Sequence, residues 1–325
     1  MNTAPRSSLA LLAGLTLLLA GCAGGEEQSS EDDLTTVTLG VMTIAPTAAI
    51  QYGVDEGIFE EHGLDVEMVP GDGGAAMLPA VQSGEMDFAT GNPLSLLVAV
   101  GQGLDMRLVS GWSHSLTEGQ DINAVVVRAD SGIESWRDLE GRSVAVNVLN
   151  GQGDLTIMEA VRRDGGDPDA IGLTEVSFPE MEAQLERGNV DAVWLPEPFL
   201  SQALAQEEFT LLGQPNQEVL PGLPTSMAFT SGRFYEENPE TVAQFKAAME
   251  EAMDAAQNDP EGSAEALSHF LDMPVEAAAE VNMEEFDGDI RREPLEDMSR
   301  LMVEYGFIDE LPGLDAVIID WEDLE

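Results

Sequence analysis

Among residues often used for covalent or general-base chemistry, histidine, cysteine and lysine are scarce in these 325 residues, at three, one and one. His62, His114 and His269 show no spacing that suggests a metal site or a Ser–His–Asp arrangement. Cys22 stands alone, which removes intrachain disulfides and paired-cysteine metal sites. Lys246 sits in a helical pattern, Phe245-Lys246-Ala247-Ala248-Met249, away from any expected strand end. The chemistry that remains is non-covalent binding, so no enzyme activity, no metal and no cofactor are expected. Loops rich in backbone N–H groups, small polar residues and aromatics are its natural carriers: Thr43 and Ile44; Gly71, Asp72 and Gly73; Gly91 and Asn92; Trp112 and His114; Asn147, Gly151, Gln152 and Asp154; Trp194 and Glu197. Glycines let a backbone approach a ligand closely, or they serve turns only. Trp112 either stacks on a planar ligand or packs, and Asp72 and Asp154 either face the ligand or cap helices turned away from it.

What places those loops is a repeated unit of apolar run, turn and helical pattern. Val37 to Val41 reads as a strand, then Leu64 to Val69 and Asp87 to Ala89; Arg107 to Ser110 and Asn123 to Val127 add two more. Asn92 suits a helix N-cap and Pro93 the first helical position. The pattern restarts at Ser143 to Val146 and runs through Thr174 to Phe178, Asp191 to Trp194 and Phe209 to Leu212, before a strand at Thr225 to Thr230. Such alternation argues for an α/β fold of mainly parallel sheets flanked by helices. In sheets of this kind ligands lie outside the carboxyl ends of strands, where helix N-termini present free N–H groups, and the loops named above are those ends. From Pro239 onward the chain reads as helices begun at Pro239, Pro260, Pro274 and Pro294. Met249, Met253, Met298 and Met302 recur at core spacing, and Glu250-Glu251 and Glu284-Glu285 read as solvated faces. Two blocks and a helical C-terminal tail give two lobes, with crossings near Ala129 and Leu223: 37–128 with 224–325, and 129–223. Two crossings make a hinge, and the cleft between lobes suits a small ligand.

The cysteine has a place of its own. Leu9 to Ala20 is apolar but far short of the roughly 20 residues that span a bilayer, and it fits the core of a secretory signal over 1–21. Leu19-Ala20-Gly21-Cys22 resembles a bacterial lipobox, which implies lipid on Cys22, and the acidic, polar 22–36 reads as a flexible tether. The expected location is the outer face of the cytoplasmic membrane or the periplasm, held by lipid alone.

Sixty-two Asp or Glu against 13 Lys or Arg give a net charge of −49. A surface of that sign excludes nucleic-acid binding and docking on anionic lipid. Twelve of the 13 cations are arginine, and the combination reads as adaptation to high salt or alkaline surroundings, salt screening removing the self-repulsion.

Five segments, in order, resemble the solute-binding proteins of ABC importers that take aliphatic sulfonates, taurine, nitrate or the pyrimidine precursor of thiamine. They are Glu56-Gly57-Ile58-Phe59-Glu60-Glu61-His62-Gly63-Leu64-Asp65-Val66, Gln82 to Ala89, Gly132 to Val146, Gly188 to Ala192, and Glu197-Pro198-Phe199. The resemblance covers most of Val37 to Asp259 and implies a type II periplasmic-binding fold. It further implies a ligand in the interlobe cleft and partnership with a permease and its ATPase; a monomer is expected. No Lys or Arg falls in the binding loops, whereas Asp72, Asp154 and Glu197 do. A planar, nitrogen-bearing ligand such as a pyrimidine, donating to Glu197, is therefore expected over a sulfonate, taurine or nitrate. Two other readings remain: a ligand-presenting sensor lipoprotein, and an enzyme resembling thiamine-pyrimidine synthases, which use a lysine, a histidine and a cysteine-rich motif that this chain lacks.

Overall fold

The computed structural model describes residues 34–71, 73–311 and 313–321. The proposed signal, Cys22, most of the tether and Asp72 lie outside them. Among the described residues no helix is long and apolar enough to cross a membrane.

The strands are β1 (Thr35–Met42), β2 (Leu64–Gly71), β3 (Phe88–Gly91), β4 (Met106–His114), β5 (Ala124–Arg128), β6 (Ser143–Val146), β7 (Gly172–Glu175), β8 (Ala192–Leu195), β9 (Phe209–Gly213), β10 (Pro224–Ser231) and β11 (Glu285–Phe286). They form a six-stranded sheet, ordered β11-β4-β10-β3-β1-β2, and a five-stranded sheet, ordered β7-β6-β8-β5-β9. The βαβ units are parallel: β1 with β2 and β3, β6 with β7 and β8. The strand next to a crossing runs antiparallel to its neighbours, β10 in the first sheet and β5 in the second, and the short edge strand β11 is antiparallel to β4.

One crossing differs from the expectation. Ala124–Arg128 does not belong with the first sheet, as the 37–128 boundary had it, but pairs with β8 and β9 in the second. The chain crosses between His114 and Ala124, some ten residues earlier than Ala129. The strand is buried on both faces, Val126 in one cluster and Val125 with Val127 in another, and an unbroken apolar run carries no mark of which sheet will receive it. The return lies between Gly213 and Pro224, and the two crossings are tied by Ser115 N donating to Leu223 O at 2.8 Å.

The first sheet packs against the helices Pro239–Asn258 and Arg292–Glu304, with Phe88 stacked on Phe245 at 3.9 Å. Met249, Met253, Met298 and Met302 are all fully buried there, as their spacing requires. The C-terminal part is helical except for β11, which adds two residues to the edge of β4. Alternation around Met283-Glu284-Glu285-Phe286 is too short to register as a strand in sequence.

The two sheets are held together at several points. Ala45 N donates to Glu197 O at 3.0 Å, and Leu155, from the helix Gln152–Arg163, packs into the core of the first sheet. On the same helix Glu159 is buried and accepts from Arg162 and Arg163, and from Tyr305 Oη at 2.8 Å across the divide.

Candidate functional site

A cavity of about 40 Å³ lies between the sheets, at the carboxyl ends of β1, β3, β6 and β8. The first sheet supplies Met42, Ile44 and Pro46 after β1, Asn92 after β3, Thr225 and Ser226 from β10, and Glu284 before β11. The second supplies Asn147 after β6, Gln152 at a helix start, Phe178, Trp194 and Pro196 around β8, and Asn216. Ile122 and Asn123, from the crossing itself, complete it.

Local rules explain several positions. Asn92 is an N-cap, its Oδ1 accepting from Ser95 N at 2.9 Å with Pro93 following, which directs the chain end of β3 into the cavity wall. Gly153 has no side chain where the Trp194 indole lies: a Cβ would stand 2.9 Å from the ring. Trp194 thus rests on the first helical turn, with Phe178 tilted beside it at 6.1 Å.

The expected residues divide. Ile44, Asn92, Asn147, Gln152 and Trp194 line the cavity. Thr43 is exposed beside it, and Gly73 faces Asn147, whose Nδ2 would be 3.5 Å from a Cβ there. Gly71 borders Met77, not the cavity, and Gly91 makes a backbone approach to Gly74, so its freedom serves packing. Gly151 is the N-cap position of its helix. Asp154 is buried outside the lining, with Oδ2 accepting from Asn150 N at 2.6 Å; burial pushes its carboxyl up to about 7. Glu197 is likewise buried and occupied by Ser201 N and Oγ, and burial raises its pKa. Trp112 is packed, its Nε1 donating to Pro46 O at 3.1 Å from behind the wall. His114 points to Asp287 O, and burial, with Arg291 nearby, lowers it to about 4. Neither Trp112 nor His114 lines the cavity.

Sequence reasoning missed Met42, Pro46, Ile122, Asn123, Phe178, Asn216, Thr225, Ser226 and Glu284. Glu284 is the sharpest correction: it is 3% exposed, not part of a solvated face. Its neighbour Glu285 is the outer one, paired with Arg291. Burial foremost, then the charge of Asp121, pushes Glu284 up to about 8.

The polar atoms are unevenly served. Gln152 Nε2, Trp194 Nε1 and Asn216 Nδ2 are buried, line the cavity and have no partner. An indole N–H can only donate, and an orphaned buried donor costs about 1–3 kcal/mol. The second-sheet wall therefore calls for an acceptor. The lining contains no Lys or Arg, and among the described residues no group of three or more His, Cys, Asp or Glu could hold a metal ion.

The comparisons follow the same lines. The family model described as "NMT1/THI5 like" matches residues 27–263. A Bacillus subtilis (strain 168) protein named "Putative aliphatic sulfonates-binding protein" is 23% identical over 244 residues, 74% of this chain and 71% of that one. Among solved structures, the periplasmic aliphatic sulphonate binding protein SsuA from Escherichia coli superposes with a TM-score of 0.70 at 18% identity, covering 86% of this chain and 95% of its own. The periplasmic nitrate-binding protein NrtA from Synechocystis PCC 6803 does so with 0.73 at 16% identity, over 90% and 87%.

Proposed function

Because the chain belongs to the NMT1/THI5-like family, we propose that it is the solute-binding component of an ABC-type importer, taking an oxyanion of the sulfonate or nitrate class between its two sheets. The observation that carries the ligand class is the set of three unpartnered N–H groups, Gln152 Nε2, Trp194 Nε1 and Asn216 Nδ2, on one wall. An oxyanion offers several lone pairs at one head and can answer all three at once. The pyrimidine reading rested on carboxylates in the binding loops. Asp154 and Glu197 lie outside the lining, each accepting from a local donor, which leaves Glu284 as the one carboxyl of the lining, and burial raises its pKa. The relatives' names point to the same ligand class.

The two sheets act as lobes, one of 35–114 with 224–321 and one of 124–213, closing on the ligand about the paired crossings. A cavity of about 40 Å³ is far below the several hundred typical for an organic ligand; the lobes therefore open to admit one. Lipid on Cys22 and the acidic tether after it hold the protein at the outer face of the membrane, within reach of its permease.

Titration calorimetry against methanesulfonate, nitrate and an aminopyrimidine tests the ligand class. One of the two anions should bind, and Trp194→Phe should weaken it about tenfold, the worth of one hydrogen bond to a charged group. Tight aminopyrimidine binding with neither anion bound would return the site to a nitrogen heterocycle.

A further inference from the structure

Resting on the oxyanion reading, the wall opposite the donors raises a question of proton count. Thr225 Oγ1 stands 3.0 Å from Ser113 O, 3.0 Å from Ser113 Oγ and 2.6 Å from Glu284 Oε2. Three contacts need three hydrogens, and the two hydroxyls supply two. A proton on Glu284 supplies the third: Thr225 donates to Ser113 O and accepts from both Ser113 and the Glu284 carboxyl. Glu284 Oε1 meanwhile accepts from Asn123 Nδ2 at 3.1 Å.

The surroundings favour that arrangement. β10 presents Thr225 and Ser226, neither of which titrates, and β4 presents Ser113, with His114 turned to Asp287. The helix Pro239–Asn258 contributes Gln257, bound to Phe286 N, and Glu285 is held by Arg291. The crossing segment brings Asp121, buried close enough to act on Glu284. Asp121 accepts from Ser115 Oγ at 2.7 Å and Ile122 N at 3.0 Å, with further backbone donors at Leu116 and Gln217. Both carboxyls are buried and the charge of Asp121 opposes ionisation of Glu284, so the proton settles on the one with fewer donors.

We propose that Glu284 is the specificity-determining residue of the cavity: its proton leaves the first-sheet wall uncharged, so that the site admits an oxyanion without lysine or arginine, and loss of that proton expels the anion. Selectivity is then set by a neutral acid facing three N–H donors, and anion affinity depends on pH although the cavity holds no histidine.

Calorimetry with methanesulfonate and with nitrate from pH 6 to 10, on the wild-type chain and Glu284→Gln, tests this. Wild-type affinity should hold up to about pH 8, where burial places the group, and fall about tenfold per unit above it, the slope of one linked proton. Glu284→Gln, neutral at every pH, should show a flat affinity profile across the range, whatever its absolute affinity. A flat wild-type profile, or parallel slopes in both proteins, overturns the proposal. Infrared difference spectra of wild type against Glu284→Gln need no ligand: the carbonyl stretch of a protonated carboxyl should be present at neutral pH in wild type and absent from the variant. If neither anion binds at any pH and the band is present, the ligand class falls and the proton on Glu284 stands. If the band is missing, the proposal falls whatever binds.

Discussion

Glu159 and Glu284 are both buried where the two sheets meet, at 1% and 3% exposure, yet the surroundings prepare them for opposite charge. Glu159 has Arg162, Arg163 and the Tyr305 hydroxyl as donors; burial alone would raise it, and these bonds hold it below the usual carboxylate range. Glu284 has an amide, two hydroxyls and a second acid nearby, and rises to about 8. Both side chains are shut off from solvent, but Glu284 lies deeper among protein atoms. Depth and the count of donors and cations within reach together decide the charge. One glutamate fastens the sheets as an ion, the other lines the ligand cavity as a neutral acid.

Removing the fastening is the most direct way to break the comparison. Glu159→Ala removes the acceptor from Arg162, Arg163 and Tyr305 and should cost about 2 kcal/mol in urea unfolding; both arginines are 47% exposed, so water takes up part of the loss. A cost under about 0.5 kcal/mol would make Glu159 no different from an exposed pair and would break the comparison.

The pH slopes come next, and their signs oppose. Glu284 is an acid raised in the folded state, so folding binds a proton there and its contribution declines as pH rises from the unfolded value near 4.5 to about 8, then levels off. The stability of Glu284→Gln relative to wild type should therefore grow by up to about 1.4 kcal/mol per unit between pH 5 and 8, and stay constant above. Glu159 is lowered, so its contribution is present above the unfolded pKa and is lost as pH falls through the folded one. Chemical denaturation of both variants across pH 4 to 10 reads the two slopes; slopes of one sign would sink the distinction.

Salt gives the smallest effect. Screening should raise the melting temperature of a chain with 62 acids and 13 bases, while the cost of Glu159→Ala shrinks by a few tenths of a kcal/mol and that of Glu284→Gln does not move. A melt in low and high NaCl on all three proteins checks both parts.

The fold was legible because its signals are local: the apolar runs of β1 and β6, Asn92 before Pro93, and methionines at helical spacing. The carboxyl-end rule found Ile44, Asn92, Asn147, Gln152 and Trp194 because those loops follow strands in sequence. It could not find Thr225 or Ser226, which open an antiparallel strand, or Asn123, which lies on the crossing. Glu284 was hidden most deeply. Beside Glu285 it looks like a charged surface pair, and only the register of β11 on β4, two residues long, sends one inward and the other out. Asp154 and Glu197 misled for the reverse reason, since a sequence shows that an acid is near a loop and not which backbone N–H groups already occupy it.

The position of β10 has a consequence for how the chain is made. β10 sits between β3 and β4 in the first sheet, yet it is synthesised only after all five strands of the second. β1, β2 and β3 can pair with one another, but β4 must wait, unjoined to them, while the interposed segment 124–213 already has all its own strands in hand. A growing chain should therefore complete its middle before its beginning, with long-range pairing of β10 as the slow step that closes the first sheet.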